Sequence, residues 1–471
     1  MKIYNKYLLI SFLSLGLTSC EKWLDVAPKT QIEADKVFEK EVGFQDALTG
    51  VYVKMTNESL YGRELTFGMV DGLGGVFTNL YSPNQYFSTL SYDFQEDNFK
   101  SKSNAIFEDS YNVIANINTL LENVEKKGPN FFTGVNYDII KGEAYGLRAF
   151  LHFDLIRLFG SSILSKGTTD SYLPYVDEVG ITPKERLTTK AFLDRVISDL
   201  EIAASTLKKV DPIIPVHANN ATTYLRDRTF KFNYYAVKAL QARVLLYAGD
   251  KNGALAAAKE VIESNVFQWT PSTEIATYSE SLRNKVFTQE LIFNLNVSNL
   301  SEITSPFFDV GVSGSLLSKY PYEYTNFFQT ADYRFQYLTV EVSSLYKRYS
   351  NKLVQTGGAS SAYANRMPLI RKSELYYIAA ECLLDTDINQ AVSYLNAVRQ
   401  RRNLADVSAS SGISSIENEI KLEYRREFIG EGQLFYYFKR KNLESVDGVY
   451  KVMNESTYVL PLPEREVSYG K

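Results

Sequence analysis

Two histidines, two cysteines and an abundance of tyrosine are what this 471-residue chain offers for chemistry. His152 lies inside a nearly continuous apolar run and His217 in a proline-rich segment, so neither stands beside a second ligand or a nucleophile. HExxH, GxSxG and phosphate-loop spacings are absent, which leaves zinc, serine and phosphoryl chemistry without a home. Gly72-Leu73-Gly74-Gly75 lacks the strand and helix that a dinucleotide fingerprint needs. Asp385, Asp387 and Asn389 imitate the start of a calcium loop, but Gln390 replaces the obligatory glycine and Asn396 the bidentate glutamate. Acids are abundant enough to supply the two carboxylates of a glycosidase, yet no pair stands out. No catalytic residue, metal or cofactor is implied. The unusual feature is 34 Tyr and 28 Phe against two Trp. A phenol outside the core combines a flat apolar face with a hydrogen-bonding tip, which suits binding rather than turnover.

Those aromatic residues crowd into two stretches without helical or strand period, near 60–100 and 265–367. Segments of that length inside a compact fold are usually functional. The rest of the chain must hold them. A helix is predicted over 44–55, another over 104–127 ended by Gly128-Pro129, and a third over 141–159, apolar nearly all round and stopped by Gly160. Thr188 or Thr189 can cap a fourth, marked by Phe192, Leu193, Val196, Leu200 and Leu207. Two helix–turn–helix units follow, 232–262 and 374–398, with small residues at matched positions: Ala242 precedes Ala254 as Ala379 precedes Ala391. They read as tetratricopeptide-like hairpins, which stack because neither covers its apolar face alone. Leu291, Ile292, Phe293 and Leu295 form a short strand-like run. Cys382 sits on an apolar helix face and reads as a small buried hydrophobe.

The expected architecture is all-α dominated, a stack of helical hairpins near 104–160, 188–264 and 370–441 carrying the two irregular insertions within one domain, 20–471. Residues 1–19 read as an export leader. Lys2 and Lys6 precede an apolar run, 7–17, too short for a permanent membrane span. Its end, Leu17-Thr18-Ser19-Cys20, resembles the lipobox of bacterial lipoproteins, which makes Cys20 the acylated first residue of the mature chain. Formal net charge is −4, or −6 without the two leader lysines, which disfavours nucleic acid as a partner.

Several phrases together resemble the SusD/RagB family of Bacteroidetes surface lipoproteins. They begin at Cys20-Glu21-Lys22-Trp23-Leu24-Asp25 and continue through Gly142-Glu143-Ala144-Tyr145-Gly146-Leu147-Arg148-Ala149-Phe150 and Ala242-Arg243-Val244-Leu245-Leu246-Tyr247-Ala248-Gly249-Asp250. The most specific is Tyr424-Arg425-Arg426-Glu427-Phe428-Ile429-Gly430-Glu431-Gly432-Gln433, and the chain closes on Leu460-Pro461-Leu462-Pro463. Leu434 and Tyr437 stand where the family more often has a basic and an acidic residue, which removes a local ion pair. Glu374, Glu381, Arg425, Glu427 and Glu431 recur at helical spacing and are expected to pair between packed helices rather than form a site.

The resemblance implies an outer-membrane, lipid-anchored protein at the cell surface that binds nutrient, usually a glycan, and delivers it to a SusC-like TonB-dependent transporter. Sugar rings lie on aromatic faces while their hydroxyls seek Asn, Gln, Asp or Arg. On that chemistry the candidate ligand-binding residues are Tyr81, Asn84, Tyr86, Trp269, Tyr320, Tyr322 and Tyr324. An oligopeptide-binding subunit of such a transporter and a structural lid without its own ligand are the alternatives; a hydrolase ranks behind both.

Overall fold

The computed structural model describes residues 36–78, 84–309, 317–355 and 362–470. The leader, Cys20 and Tyr81 lie outside the described residues.

Helices dominate. In chain order they include α1 (Glu41–Met55), α2 (Met69–Leu73), α3 (Asp97–Lys127), α4 (Asn136–Phe159), α5 (Thr189–Leu207), α6 (Tyr234–Tyr247) and α7 (Lys251–Glu263). Within the second insertion lies α8 (Pro321–Thr325), and after it come α9 (Lys372–Leu383), α10 (Ile388–Arg401), α11 (Ile413–Glu427) and α12 (Leu434–Arg440). Local chemistry sets the boundaries. Glu96 accepts the backbone N–H groups of Asn98 and Phe99 to start α3, and Gly128 ends it at φ +70. Thr188, not Thr189, caps α5 through its hydroxyl. Asp250 caps α7, and Asp387 caps α10 by accepting the N–H of Gln390. The calcium-like triplet is thus a helix start.

From α3 onward each long helix packs on the next, α3 on α4, α4 on α5, α5 on α6 and α6 on α7. The second insertion then leaves the stack, and α9 returns to pack on α7 before pairing with α10. Between α6 and α9 the closure is ionic as well as apolar, since Arg243 donates twice to Glu374 at 2.6 and 2.7 Å. Alanines 254, 257 and 258 on α7 are buried at these contacts. On α4, Gly146 allows closest approach: a Cβ there would meet the Phe232 ring at 2.5 Å. His152, six residues further along α4, is a satisfied core residue. Its Nδ1–H donates to the Arg148 carbonyl, its Nε2 accepts from Val176 N–H, and its ring stacks on Tyr175 at 3.9 Å. Burial pushes the imidazole down to about 3, so it stays neutral. Burial likewise raises the Cys382 thiol to about 12.

Sheet is minor. β1 (Ser171–Pro174) pairs with β2 (Arg186–Thr188), β3 (Leu291–Asn296) with β6 (Arg366–Arg371), and β4 (Thr339–Val342) with β5 (Lys347–Ser350), all antiparallel. The β3–β6 pair closes residues 297–365 of the second insertion into a loop and delivers the chain directly into α9.

The first aromatic stretch differs from expectation. Residues 60–77 are irregular, but nearly all of them are buried, and they form part of the core rather than a surface loop. Asp71 of α2 shows why such a segment is stable: its carboxylate accepts the N–H groups of Gly430 and Gly432, the turn between α11 and α12. The position of Tyr437 is occupied by stacking instead of an ion pair, its ring lying 4.3 Å from that of Tyr424.

The second insertion is fastened to the stack by buried charge. Glu427 of α11 accepts from Arg334 and Arg402 at 2.7 Å each and from Arg371. Glu290 pairs with Arg402 at 2.6 Å, Asp332 with Arg334 at 2.7 Å, and Glu431 with Arg371 and Lys352. Glu423 joins Arg334, Arg399 and Arg426. Every one of these charges has an opposite partner, the condition under which charge can be buried at all. Glu290, Asp332, Arg334 and Lys352 belong to the insertion, the others to the strand, helices and turns of the stack. Burial alone would raise the Glu427 carboxyl; Arg402, Arg371 and Arg334 instead hold it well below the usual range.

Candidate ligand-binding surface

One end of the second insertion presents tyrosine to solvent. Lys319 forms a two-way backbone bridge with Arg348, each N–H donating to the other's carbonyl at 2.9 Å. Tyr320 is extended, and Pro321 then opens α8 at the position where a missing N–H costs nothing. Glu323 locks the start, accepting Tyr320 N–H at 2.8 Å and the Thr78 hydroxyl at 2.7 Å. This geometry sets the rings of Tyr320 and Tyr322 parallel within 10°, with centroids 5.8 Å apart. Tyr346 lies 5.9 Å from Tyr320, held in the left-handed region (φ +50) between β4 and β5. Holding a tyrosine in that region costs backbone strain of about 1–3 kcal/mol. Tyr322 is 52% and Tyr346 58% exposed.

The floor beneath is tied by one amine. Lys319 is buried, and its Nζ donates to the Gly75 carbonyl at 2.6 Å. Gly448 approaches so closely that a Cβ would sit 2.7 Å from that Nζ and 2.8 Å from Gly75 O. Residues 75–78, 318–323, 346–348 and 447–449 therefore meet at a single point. Burial pushes the Lys319 amine down to about 7, against the attraction of Glu323. The arrangement supplies ring faces, a glutamate, hydroxyls and backbone groups, a set suited to binding.

The candidate residues separate on this map. Tyr320 and Tyr322 come together. Asn84 is half-buried and caps its own loop, accepting the N–H of Tyr86, where the chain re-emerges beyond the undescribed residues that follow Thr78. Tyr86 and Tyr324 need correction. Tyr86 is buried, donating to Glu64 at 3.0 Å and packing on Phe307, and Tyr324 is buried against Phe327 and Phe328. Neither presents a ring to a ligand, because Tyr86 faces the core from the first insertion and Tyr324 from the inner side of α8. Trp269 packs elsewhere, on Tyr376 of α9 at 5.0 Å with Lys372 over its ring. Tyr346 was missed by sequence reasoning. Its one signal is the alternating run Thr339–Val342 just before it; Lys347–Ser350 on the other side does not alternate, so the hairpin is plain only in the structure.

Two family models cover most of the chain in register with this architecture. One, described as "Starch-binding associating with outer membrane", matches residues 22–246, and the SusD family model matches 316–465. The chain belongs to the SusD/RagB family. Among curated SusD relatives, "SusD-like protein P25" of Formosa agariphila is 22% identical over 302 residues, 63% of this chain and 52% of that protein. "SusD-like protein P2" of the same organism is 23% identical with 97% of this chain and 95% of its own length aligned. The chain thus spans about half the length of the first of these relatives and nearly all of the second. A SusD superfamily crystal structure from Bacteroides thetaiotaomicron superposes with a TM-score of 0.71 at 22% identity, covering 91% of this chain and 98% of that one. The SusD fold is shared throughout. No helix among the described residues is long and apolar enough to cross a membrane.

Proposed function

We propose that this SusD-family protein is a cell-surface lipoprotein that binds an oligosaccharide on the Tyr320–Tyr322–Tyr346 surface and delivers it to a SusC-like TonB-dependent transporter. The observation that carries the reading is the half-buried Tyr320 ring lying parallel to the exposed Tyr322 ring, with exposed Tyr346 beside it, on a floor fixed by Lys319 and Glu323. Flat, preorganised phenols suit the C–H faces of pyranose rings, and their hydroxyls suit the sugar's own. The family description as starch-binding and associated with the outer membrane points the same way. In this reading Cys20 carries the lipid, and Tyr81, which like Cys20 lies outside the described residues, and Asn84 are further candidate contacts to the ligand. Trp269, set on the helical stack, serves packing. The ligand is bound and passed on without turnover.

The test is affinity electrophoresis of the chain lacking residues 1–20 through gels containing starch, xylan, laminarin or galactan. Retardation by at least one polysaccharide, with no reducing ends released, is the expected result. Unretarded migration in all of them, with a mobility or thermal shift from casein-derived oligopeptides, would replace the glycan by a peptide. Co-purification of the lipidated protein with an outer-membrane barrel tests delivery; recovery as an uncomplexed species from gently solubilised membranes would remove that step.

A further inference from the structure

A cleft of about 570 Å³ opens between α3, α4, α5 and the strap that follows β1, and it shares no lining residue with the tyrosine surface. Sequence periodicity builds it. Asn118 and Glu122 are one helical turn apart on α3, Tyr145 and Arg148 on α4, and Arg195, Ser198 and Asp199 on α5, so each helix turns one stripe inward.

The floor is rigid and fully paired. Arg148 donates to both oxygens of Asp199 at 2.7 Å, and to Asn118 Oδ1 and the Asp177 carbonyl at 2.9 Å. The Tyr175 hydroxyl donates to the same Asp199 at 2.5 Å. Against this floor the Tyr145 ring is held by the Arg148 guanidinium, 4.9 Å from its centroid, while remaining only half-buried. The walls differ from the floor. Glu122 and Ser198 are exposed, and neither makes a hydrogen bond or ion pair with another described residue. Arg195 reaches Asp177 at 3.3 Å with more than half of its side chain in solvent.

A fixed aromatic face beside the unpaired Glu122 and Ser198 and the solvent-facing Arg195, in a space within the ~300–1,000 Å³ of small-ligand sites, suits a polyhydroxylated guest. A pyranose ring would lie on Tyr145, donating hydroxyls to Glu122 and accepting from Ser198 and Arg195. The excess of carboxylates over cations along the rim selects against uronic or sulfated sugars. We propose that this cleft is a second saccharide site, taking a short stretch of neutral glycan independently of the tyrosine surface. It rests on the reading of the protein as a glycan binder and extends it: two sites on one rigid body let a long chain bind more tightly than its short fragments.

Saturation-transfer NMR with D-glucose, D-galactose, D-mannose, D-xylose, maltose and cellobiose tests it. The variants are Tyr320→Ala/Tyr322→Ala alone, and the same background with Tyr145→Ala or Ser198→Trp. Ser198 is exposed, so tryptophan there fills the cleft without disturbing the core, which covers the case in which Tyr145→Ala unfolds. The surface double variant is expected to keep transfer to at least one sugar, and Ser198→Trp to weaken that signal about tenfold. Loss of all transfer in the surface double variant, or an unaffected signal in Ser198→Trp, overturns the second site and leaves the first standing. Absence of transfer in the parent protein with every sugar overturns both.

Discussion

Replacing Glu427 by Gln should destabilise the protein more than any single surface change, and the structure indicates by how much. The substitution keeps shape and one acceptor oxygen but deletes a charge shared by Arg334, Arg371 and Arg402, all essentially inaccessible to water. Each arginine keeps another acidic partner, Asp332 and Glu423, Glu431, or Glu290 respectively, so none is stranded outright. Breaking a buried ion pair from one side costs about 3–5 kcal/mol, and the remaining partners place this case toward the lower figure. With ~2.1 cal/mol/K of unfolding entropy per residue, a 471-residue chain melting as one unit has about 1 kcal/mol/K, so Tm should fall by about 3–5 °C. Acid sharpens the test. The Glu427 carboxyl is held well below its ordinary range, and Glu423 down to about 2, by the surrounding arginines that outweigh burial. Their stabilisation is present above the unfolded carboxylate range near pH 4.5 and is lost as pH falls toward 2. Scanning calorimetry at pH 7 and at stepped pH below 4.5 should therefore show a lower Tm at neutrality and a shallower acid loss in Glu427→Gln. A Tm within 1 °C of the parent, or an unchanged acid slope, would refute the claim that this lattice fastens the insertion.

Three further outcomes follow from single contacts. His152, neutral in the fold at about 3 against an unfolded value near 6.5, subtracts stability as pH falls from 6.5 toward 3; NMR titration should show no imidazole protonation above pH 4. Lys319→Met strands the Gly75 carbonyl, costing about 1–3 kcal/mol in thermal denaturation. The parent should also gain stability as pH rises from about 7 toward 10.5, because its folded amine sheds a proton that the unfolded chain keeps, and the variant should lack that gain. Gly146→Ala drives a methyl into the Phe232 ring and should lower stability by about 1–3 kcal/mol, measured by urea unfolding.

The helical stack was legible because its forces are periodic. Apolar stripes on α3, α5, α7 and α10 follow the 3.6-residue repeat and burial follows them, while capping residues mark the helix starts and matched alanines the two hairpins. Helical spacing also exposed the charges: Glu374 and Glu381 pair between helices with Arg243 and Arg440 as expected. Arg425 instead pairs with Asp447 of a loop, and Glu427 and Glu431 pair largely with the insertion and the end of β6. Their partners Glu290, Asp332, Arg334 and Lys352 were not legible, because they lie in irregular chain whose position is set by the lattice itself. The tyrosines show the same limit. Tyr322 and Tyr324 are two residues apart with identical side chains, yet one is half exposed and the other fully buried. Without a repeating backbone no sequence pattern separates them; Pro321 and Glu323, which fix the turn, do so only in three dimensions.

The central claim is that exposed phenol rings on a fixed floor hold the glycan. The direct measurement is isothermal titration of the parent and of Tyr320→Ala/Tyr322→Ala/Tyr346→Ala with an oligosaccharide from whichever polysaccharide retards the parent in gels. Removing rings worth ~1 kcal/mol each should weaken binding by about a hundredfold while leaving Tm within 2 °C, since none of the three is in the core. Equal affinity in parent and triple variant would place the ligand elsewhere and contradict the account.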